Sequence, residues 1–298
     1  MHKSSVYLPE ELKRDLGELA ARSGRSEADL IRHAIERLVA VPDDPTAPPT
    51  VPRSDHPRPA LIGVGVGPGD PGLITDRARA TLSAADRVVV ITTDMRSVGR
   101  AEMVVRSVAR TARVHRVPFA IASDDGARRD SLLAVMDAVL AAVDADELVA
   151  VAVIGDPSQW TVFPELAGRI AAERPGLSIS AEPGITSYQA AAASTISGLG
   201  VAGSALVVLD DATELEHHLR STDGAVVLYK ASTDAATVRA EASRAGRHDA
   251  VVAELSGLPG QRLVALADAD DGPISYLATV VFPARRLVPG SVEASVPS

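Results

Sequence analysis

The stretch that decides the fold is Ala60-Leu61-Ile62-Gly63-Val64-Gly65-Val66-Gly67-Pro68-Gly69-Asp70-Pro71-Gly72. Its first half is a short apolar run, and its second half is a turn dense in glycine and proline. A buried strand entering a tight loop is the direct reading. Helical pattern follows from Leu73 to Ala85, and Val88–Ile91 reads as a second buried strand. Strand and helix then alternate, which predicts an α/β domain with a largely parallel sheet. Further strands fit Val149–Ile154, Leu177–Ala181, Ala205–Leu209, Ala225–Tyr229, Ala250–Glu254 and Tyr276–Phe282.

Gly67, Gly69 and Gly72 satisfy the G-x-G-x-x-G pattern of a dinucleotide site, but the context argues against one. Pro68 and Pro71 remove amide donors from the turn that would cradle a pyrophosphate. The acidic residue that would hold a ribose is also missing from the end of the second strand; Asp94 is the nearest, 27 residues beyond Gly67.

Outward from this core, the chain has 298 residues, 46% apolar, 23% charged and 3% aromatic. That is enough for a sizeable aliphatic core. It has no cysteine, which excludes disulfides, thiolate metal sites and cysteine nucleophiles. No other metal site is expected. No signal peptide or membrane span is evident, so a cytoplasmic protein without membrane association is expected. The formal charge of −9 is unevenly spread. Residues 1–40 hold seven Lys/Arg and seven Asp/Glu, leaving 23 basic and 32 acidic side chains beyond them. Val41–Pro59 has seven prolines in 19 residues and reads as an extended, semi-stiff linker.

Within residues 1–40, Lys3–Leu8 suits a short strand, with Val6 and Leu8 on one face and Lys3, Ser5 and Tyr7 on the other. Pro9 opens a helix over Glu10–Arg22, with Leu12, Leu16 and Leu19 on one side. Ser26 caps a second helix, with Asp29 at its third position. One strand and two short helices cannot bury a core alone. The segments Ser5-Val6-Tyr7-Leu8-Pro9-Glu10-Glu11-Leu12 and Ser23-Gly24-Arg25-Ser26-Glu27 resemble the ribbon-helix-helix family. The resemblance implies an intertwined homodimer. It also implies DNA binding, with Lys3, Ser5 and Tyr7 facing bases and Arg25 and Ser26 anchoring phosphate. A purely dimerising arm is the competing reading.

The larger region resembles the tetrapyrrole (corrin/porphyrin) methylases. Gly65–Pro71 followed by Leu73-Ile74-Thr75 looks like that family's first motif. Gly155-Asp156-Pro157-Ser158, Pro183-Gly184-Ile185-Thr186-Ser187, Val227-Leu228-Tyr229-Lys230 and Gln261-Arg262-Leu263-Val264 follow in order. The resemblance implies a two-domain class III methyltransferase fold, divided as 60–172 and 173–287, with 288–298 a disordered tail. It implies S-adenosylmethionine as cofactor and S-adenosylhomocysteine as product. The implied cofactor contacts are Pro68, Ile154, Gly155, Asp156, Gln159, Thr186, Ser187, Lys230 and Ser256. Asp70 is a candidate catalytic base, with a turn-capping role as the competing reading.

Phe163 after GDPS, the Lys230 motif and Pro273–Tyr276 are most similar to the precorrin-2 C20-methyltransferases of cobalamin biosynthesis. Gln159-Trp160-Thr161-Val162 depart from that subfamily's pattern, as do Gly72 and Ile91-Thr92-Thr93. A precorrin bears many carboxylates, and Arg106, Arg110 and Arg113 are read as sharing a helix face that binds them. The expected protein is therefore a tetrapyrrole methyltransferase, forming a homodimer or higher oligomer through its arm. The alternative is a DNA-binding regulator whose methylase-like region senses the cofactor or a tetrapyrrole without turnover.

Overall fold

The computed structural model describes residues 9–23, 26–32, 56–120, 125–229, 233–258, 260–275 and 278–285. The chain divides into two units, Met1–Pro52 and Arg53–Ser298. The positions Lys3, Ser5, Tyr7, Arg25 and Lys230, and the tail 288–298, lie outside the described residues, as do most of the linker and the strand expected at 3–8.

In the first unit, helix α1 spans Glu10–Ser23. The amide of Lys13 donates to the carbonyl of Pro9, so proline sits where its missing N–H costs nothing. Helix α2 is described over residues 27–32. Ser26 caps it: the Asp29 amide donates to the Ser26 hydroxyl at 3.2 Å, and that hydroxyl donates to the Asp29 carboxylate at 2.8 Å. Lys13 on α1 pairs with Glu27 on α2 at 2.9 Å. Leu12 and Leu19 of the apolar stripe stay 52% and 42% exposed.

The second unit holds two five-stranded sheets. The first consists of β1 (Ala60–Gly65), β2 (Arg87–Thr92), β3 (Val114–Pro118), β4 (Leu148–Val153) and β5 (Ser178–Glu182), in the order β3-β2-β4-β1-β5. Every pairing in it is parallel. Alternate residues of β1 feed opposite faces. Ile62 and Val64 pack with α3 (Asp76–Ala84) and α4 (Arg100–Val108), whereas Leu61 packs with α5 (Asp125–Val143) and α6 (Phe163–Glu173). Gly63 lacks a side chain because the Phe163 ring occupies that space; a Cβ there would meet it at 2.5 Å. The helices after the adjacent strands β1 and β4 thus leave on opposite faces, opening a crevice at the C-terminal ends of these strands.

The second sheet consists of β6 (Leu206–Leu209), β7 (Ala225–Tyr229), β8 (Val251–Glu254), β9 (Arg262–Ala265) and β10 (Thr279–Phe282), in the order β6-β7-β10-β8-β9. Only β6 and β7 pair in parallel. Helices α8 (Leu215–Ser221) and α9 (Ala235–Arg244) cover one face, and α7 (Ser187–Thr195) lies on the other through Tyr188 and Ala191.

Three expectations need correction. The division at 172/173 would assign β5 to the second sheet, yet β5 pairs with β1 from Ala60↔Ser178 to Val64↔Glu182. The helix expected over 73–85 is a 3₁₀ turn at Pro71–Leu73 followed by α3, whose N-cap Thr75 accepts the Ala78 amide. Arg106, Arg110 and Arg113 do not share a helix face, because α4 ends at Val108. Its last turn gives way to β3, and buried Glu102 draws Arg106 and Arg116 together at 2.7 and 2.6 Å. Arg113 precedes β3 and lies 4.0 Å from Glu147, which precedes β4. That is the N-terminal edge of the sheet, opposite the crevice.

Candidate functional site

Three glycines meet backbone to backbone at the C-terminal ends of β1, β4 and β5. The amide of Val66 donates to Val153, and the amide of Gly155 donates to Gly67, both at 2.9 Å. A Cβ on Gly65 would lie 2.6 Å from both the Gly155 carbonyl oxygen and the Gly184 nitrogen. A Cβ on Gly184 would overlap that same carbonyl oxygen. Gly155 also has φ 74°, where a side chain is disfavoured. Only glycine permits this approach, and it leaves the three loops rigidly joined.

Asp156 fastens the junction. Its carboxylate accepts the amide of Ser158 at 2.8 Å, the Ser158 hydroxyl, and the amide of Gly184 at 3.0 Å. Burial pushes this carboxyl up, but the three hydrogen bonds outweigh burial and hold it below the ordinary carboxylate range.

The second sheet contributes a loop that closes over the first motif. Gly69, at φ 138°, lies beneath Leu258, and a Cβ there would meet that side chain at 2.9 Å. Gly257, at φ 73°, rests on Leu73 and Pro68. Gln261 steadies the loop by accepting the Gly257 amide at 2.8 Å. Ser256, beside it, is buried, and its hydroxyl has no hydrogen-bond partner among the described residues. A buried hydroxyl left unpaired costs free energy. Across the crevice, buried Thr186 starts α7 with a capping box to Gln189, and Ser187 bonds to Thr279 of β10 at 2.9 Å.

Aromatic side chains border the same loops. Trp160 and Tyr229 have ring centroids 5.4 Å apart, and Tyr188 meets Tyr229 edge-on at 6.1 Å. The Tyr188 hydroxyl donates to Gln159 at 3.1 Å. The Tyr229 oxygen lies 3.6 Å from where a Gly155 Cβ would stand.

Of the sequence-derived cofactor residues, Pro68, Ile154, Gly155, Asp156 and Gln159 come together on the loops after β1 and β4. Thr186 and Ser187 stand at the start of α7, and Ser256 on the loop after β8. Asp70 accepts the amide of Gly72 at 2.7 Å and caps the 3₁₀ turn. Sequence reasoning did not assign Gly65 and Gly184 a role, although both stand in quoted motifs. Tyr229, in the fourth quoted motif, was likewise given no role, and Tyr188 and Leu258 were passed over, since their partners are far away in sequence.

The sequence profile described as Tetrapyrrole (Corrin/Porphyrin) Methylases matches residues 60–270. That of the Ribbon-helix-helix protein, copG family, matches residues 5–40. A precorrin-2 C(20)-methyltransferase from Sinorhizobium sp is 31% identical over 244 residues, covering 75% of this chain and 94% of the relative. The cobalamin biosynthesis protein CobIJ of Mycobacterium tuberculosis H37Rv is 29% identical over 255 residues, covering 79% of this chain. The match spans 48% of CobIJ, about half the length of that relative. Among solved structures, the cobalt precorrin-4 methyltransferase CbiF superposes with a TM-score of 0.58 at 24% identity, covering 74% of this chain and 93% of CbiF. The methyltransferase CobJ gives 0.51 at 20% identity, covering 77% and 97%. At these identities the two structures show the fold.

Proposed function

Because the chain belongs to the tetrapyrrole methylase family, we propose that it transfers a methyl group from S-adenosylmethionine to a carbon of a tetrapyrrole in cobalamin biosynthesis, with C20 of precorrin-2 as the acceptor. The observation that carries the reading is the glycine junction of Gly65, Gly155 and Gly184, with the unpartnered Ser256 hydroxyl on the loop that closes over it. The residues fit the cofactor: backbone that can approach closely, a polar atom awaiting a partner, and walls of Pro68, Ile154 and Thr186. Gly155, Gln159, Thr186, Ser187, Lys230 and Ser256 would hold it, while Asp156 fixes the loops. When bound, S-adenosylmethionine supplies an electrophilic methyl group on a sulfonium.

This chain's own part is positional. The rigid loops set the acceptor carbon in line, and Gly257 and Leu258 packed over the first motif keep water out. Asp70 spends one carboxylate oxygen on its own turn and so shapes the first motif, and its other oxygen is the candidate base for the proton lost from the methylated carbon.

The profile match over residues 5–40 and the exposed Leu12 and Leu19 support a second element of the reading. The arm pairs two chains, and DNA is a candidate ligand for the paired arms.

The test is calorimetry with S-adenosylhomocysteine, together with incubation of precorrin-2 and S-adenosylmethionine followed by mass analysis. Binding at one site per chain and gain of one methyl group at C20 are expected. Binding without transfer would replace the enzyme by a sensor, and absence of binding would remove the reading.

A further inference from the structure

The chain's single tryptophan occupies an uncomfortable place. Trp160 has φ 47°, a conformation that bulky residues avoid. It also leaves 39% of its surface exposed. Neither condition serves folding: the backbone is strained and the apolar ring is only partly withdrawn from water. The loop nevertheless enforces both. The Thr161 hydroxyl donates to the Pro157 carbonyl at 2.6 Å, and the Gln159 amide donates to Asp156 at 3.2 Å. Strain held in place by its surroundings is a mark of function.

The ring also has a direction. Tyr188 and Tyr229 are 5% and 6% exposed, so the three aromatics run from the interior at Tyr188 to the surface at Trp160. The chain has only eight aromatic residues of the Phe, Trp and Tyr types, and three of them gather here. The buried Tyr229 ring packs against the indole, and 39% of the Trp160 surface stays exposed to meet a ligand face. The cofactor is small and needs backbone contact, which the buried glycine junction offers. A tetrapyrrole macrocycle is larger than S-adenosylmethionine and presents a broad face, which a ring exposed at the rim is placed to meet.

We propose that Trp160 is a specificity-determining residue whose indole packs against the conjugated face of the tetrapyrrole acceptor. The proposal rests on the methyltransferase reading and adds to it the residue that selects the acceptor. Offset contact between conjugated faces is favourable beyond the area it buries.

The experiment uses the full chain and uroporphyrin III, a stable tetrapyrrole, as probe. Its binding is followed in wild type and every variant by porphyrin absorbance, because the variants hold no tryptophan whose quenching could be read. Trp160→Ala should weaken porphyrin binding by roughly tenfold and Trp160→Phe by about threefold, the scale of one aromatic contact. S-adenosylhomocysteine affinity, measured by calorimetry, should stay within about twofold, as expected for a ligand that does not share this contact. Trp160→Gly relieves the left-handed backbone and should fold at least as well as the alanine variant while losing the same porphyrin affinity. Equal porphyrin affinity in wild type and Trp160→Ala would overturn the proposal, and so would parallel loss of both ligands, which would make the ring structural or an adenine contact. Failure of the wild-type protein to bind porphyrin while it binds S-adenosylhomocysteine would instead remove the tetrapyrrole reading, and this proposal with it.

Discussion

The carboxylate of Asp156 accepts the amide of Gly184 at 3.0 Å, joining the loop after β4 to the loop after β5 across 28 residues of sequence. The bond ties two loops that the parallel sheet merely sets side by side. It makes one rigid floor from parts contributed by separate crossovers.

Asp156→Asn tests that bond through pH. The folded carboxyl lies below its ordinary range, because the bonds from Ser158 and Gly184 outweigh burial. A group depressed in this way adds stability above its unfolded pKa and loses that contribution as pH falls through the folded value. The variant should be less stable than wild type by about 1–3 kcal/mol at neutral pH. The gap should close as the solution is acidified below about pH 4, the ordinary aspartate value. Urea melts at pH 7 and pH 3 measure it, and a constant gap would contradict the assignment.

Ser256→Ala separates stability from binding. Removing a buried hydroxyl without a partner should stabilise the ligand-free protein by about 1 kcal/mol. S-adenosylhomocysteine affinity should fall by about fivefold, the loss of one hydrogen bond. Thermal melts with and without ligand would show curves that cross. A variant destabilised in both states would place the hydroxyl in the fold instead of the site.

Two glycines should respond in opposite senses. At Gly184 a Cβ has no room, so Gly184→Ala should cost about 3 kcal/mol and abolish cofactor binding. Gly168 lies exposed in α6 with open space around it. Gly168→Ala should stabilise by about 0.5–1 kcal/mol through helix propensity, with binding unchanged. Chemical denaturation of the pair, run side by side, checks both signs.

Leu12→Glu with Leu19→Glu places charge on the exposed stripe of α1. Sedimentation velocity of the full chain should show a smaller assembly than wild type, with unchanged S-adenosylhomocysteine affinity. An unaltered sedimentation coefficient would assign self-association to residues beyond the arm.

Much of the first sheet was legible because β1, β2 and β4 are apolar runs buried on both faces, and β1 and β4 end in loops of glycine and proline. β3 was not, since only Val117 of its five residues is buried and its polar neighbours mask any run. The same blind spot extended the arginine-bearing helix too far: nothing between Val108 and Val114 is a strong breaker, and the helix ends because the chain must turn to join the sheet edge. Membership of β5 in the first sheet is a matter of strand order, which hydropathy does not encode. Within the site, the glycine and proline motifs mark where backbone comes close, and they could be found locally. Trp160 and Tyr229 stand 69 positions apart, so their contact has no local trace.

The glycine junction also governs which changes are open to this protein over time. Gly65 and Gly184 bar each other from acquiring a side chain and the Gly155 carbonyl bars both, while Gly155 itself is held to glycine by its φ of 74°. A side chain at Gly65 or Gly184 requires neighbouring backbone to shift, and one at Gly155 requires a strained left-handed conformation, so the floor resists stepwise drift. The second sheet meets the floor through side chains such as Leu258 and Tyr229, which can be exchanged without moving the glycine backbones. Tolerance in this architecture therefore has an address: side chains on the loops of the second half and at the rim can change singly, whereas the glycine floor beneath them cannot.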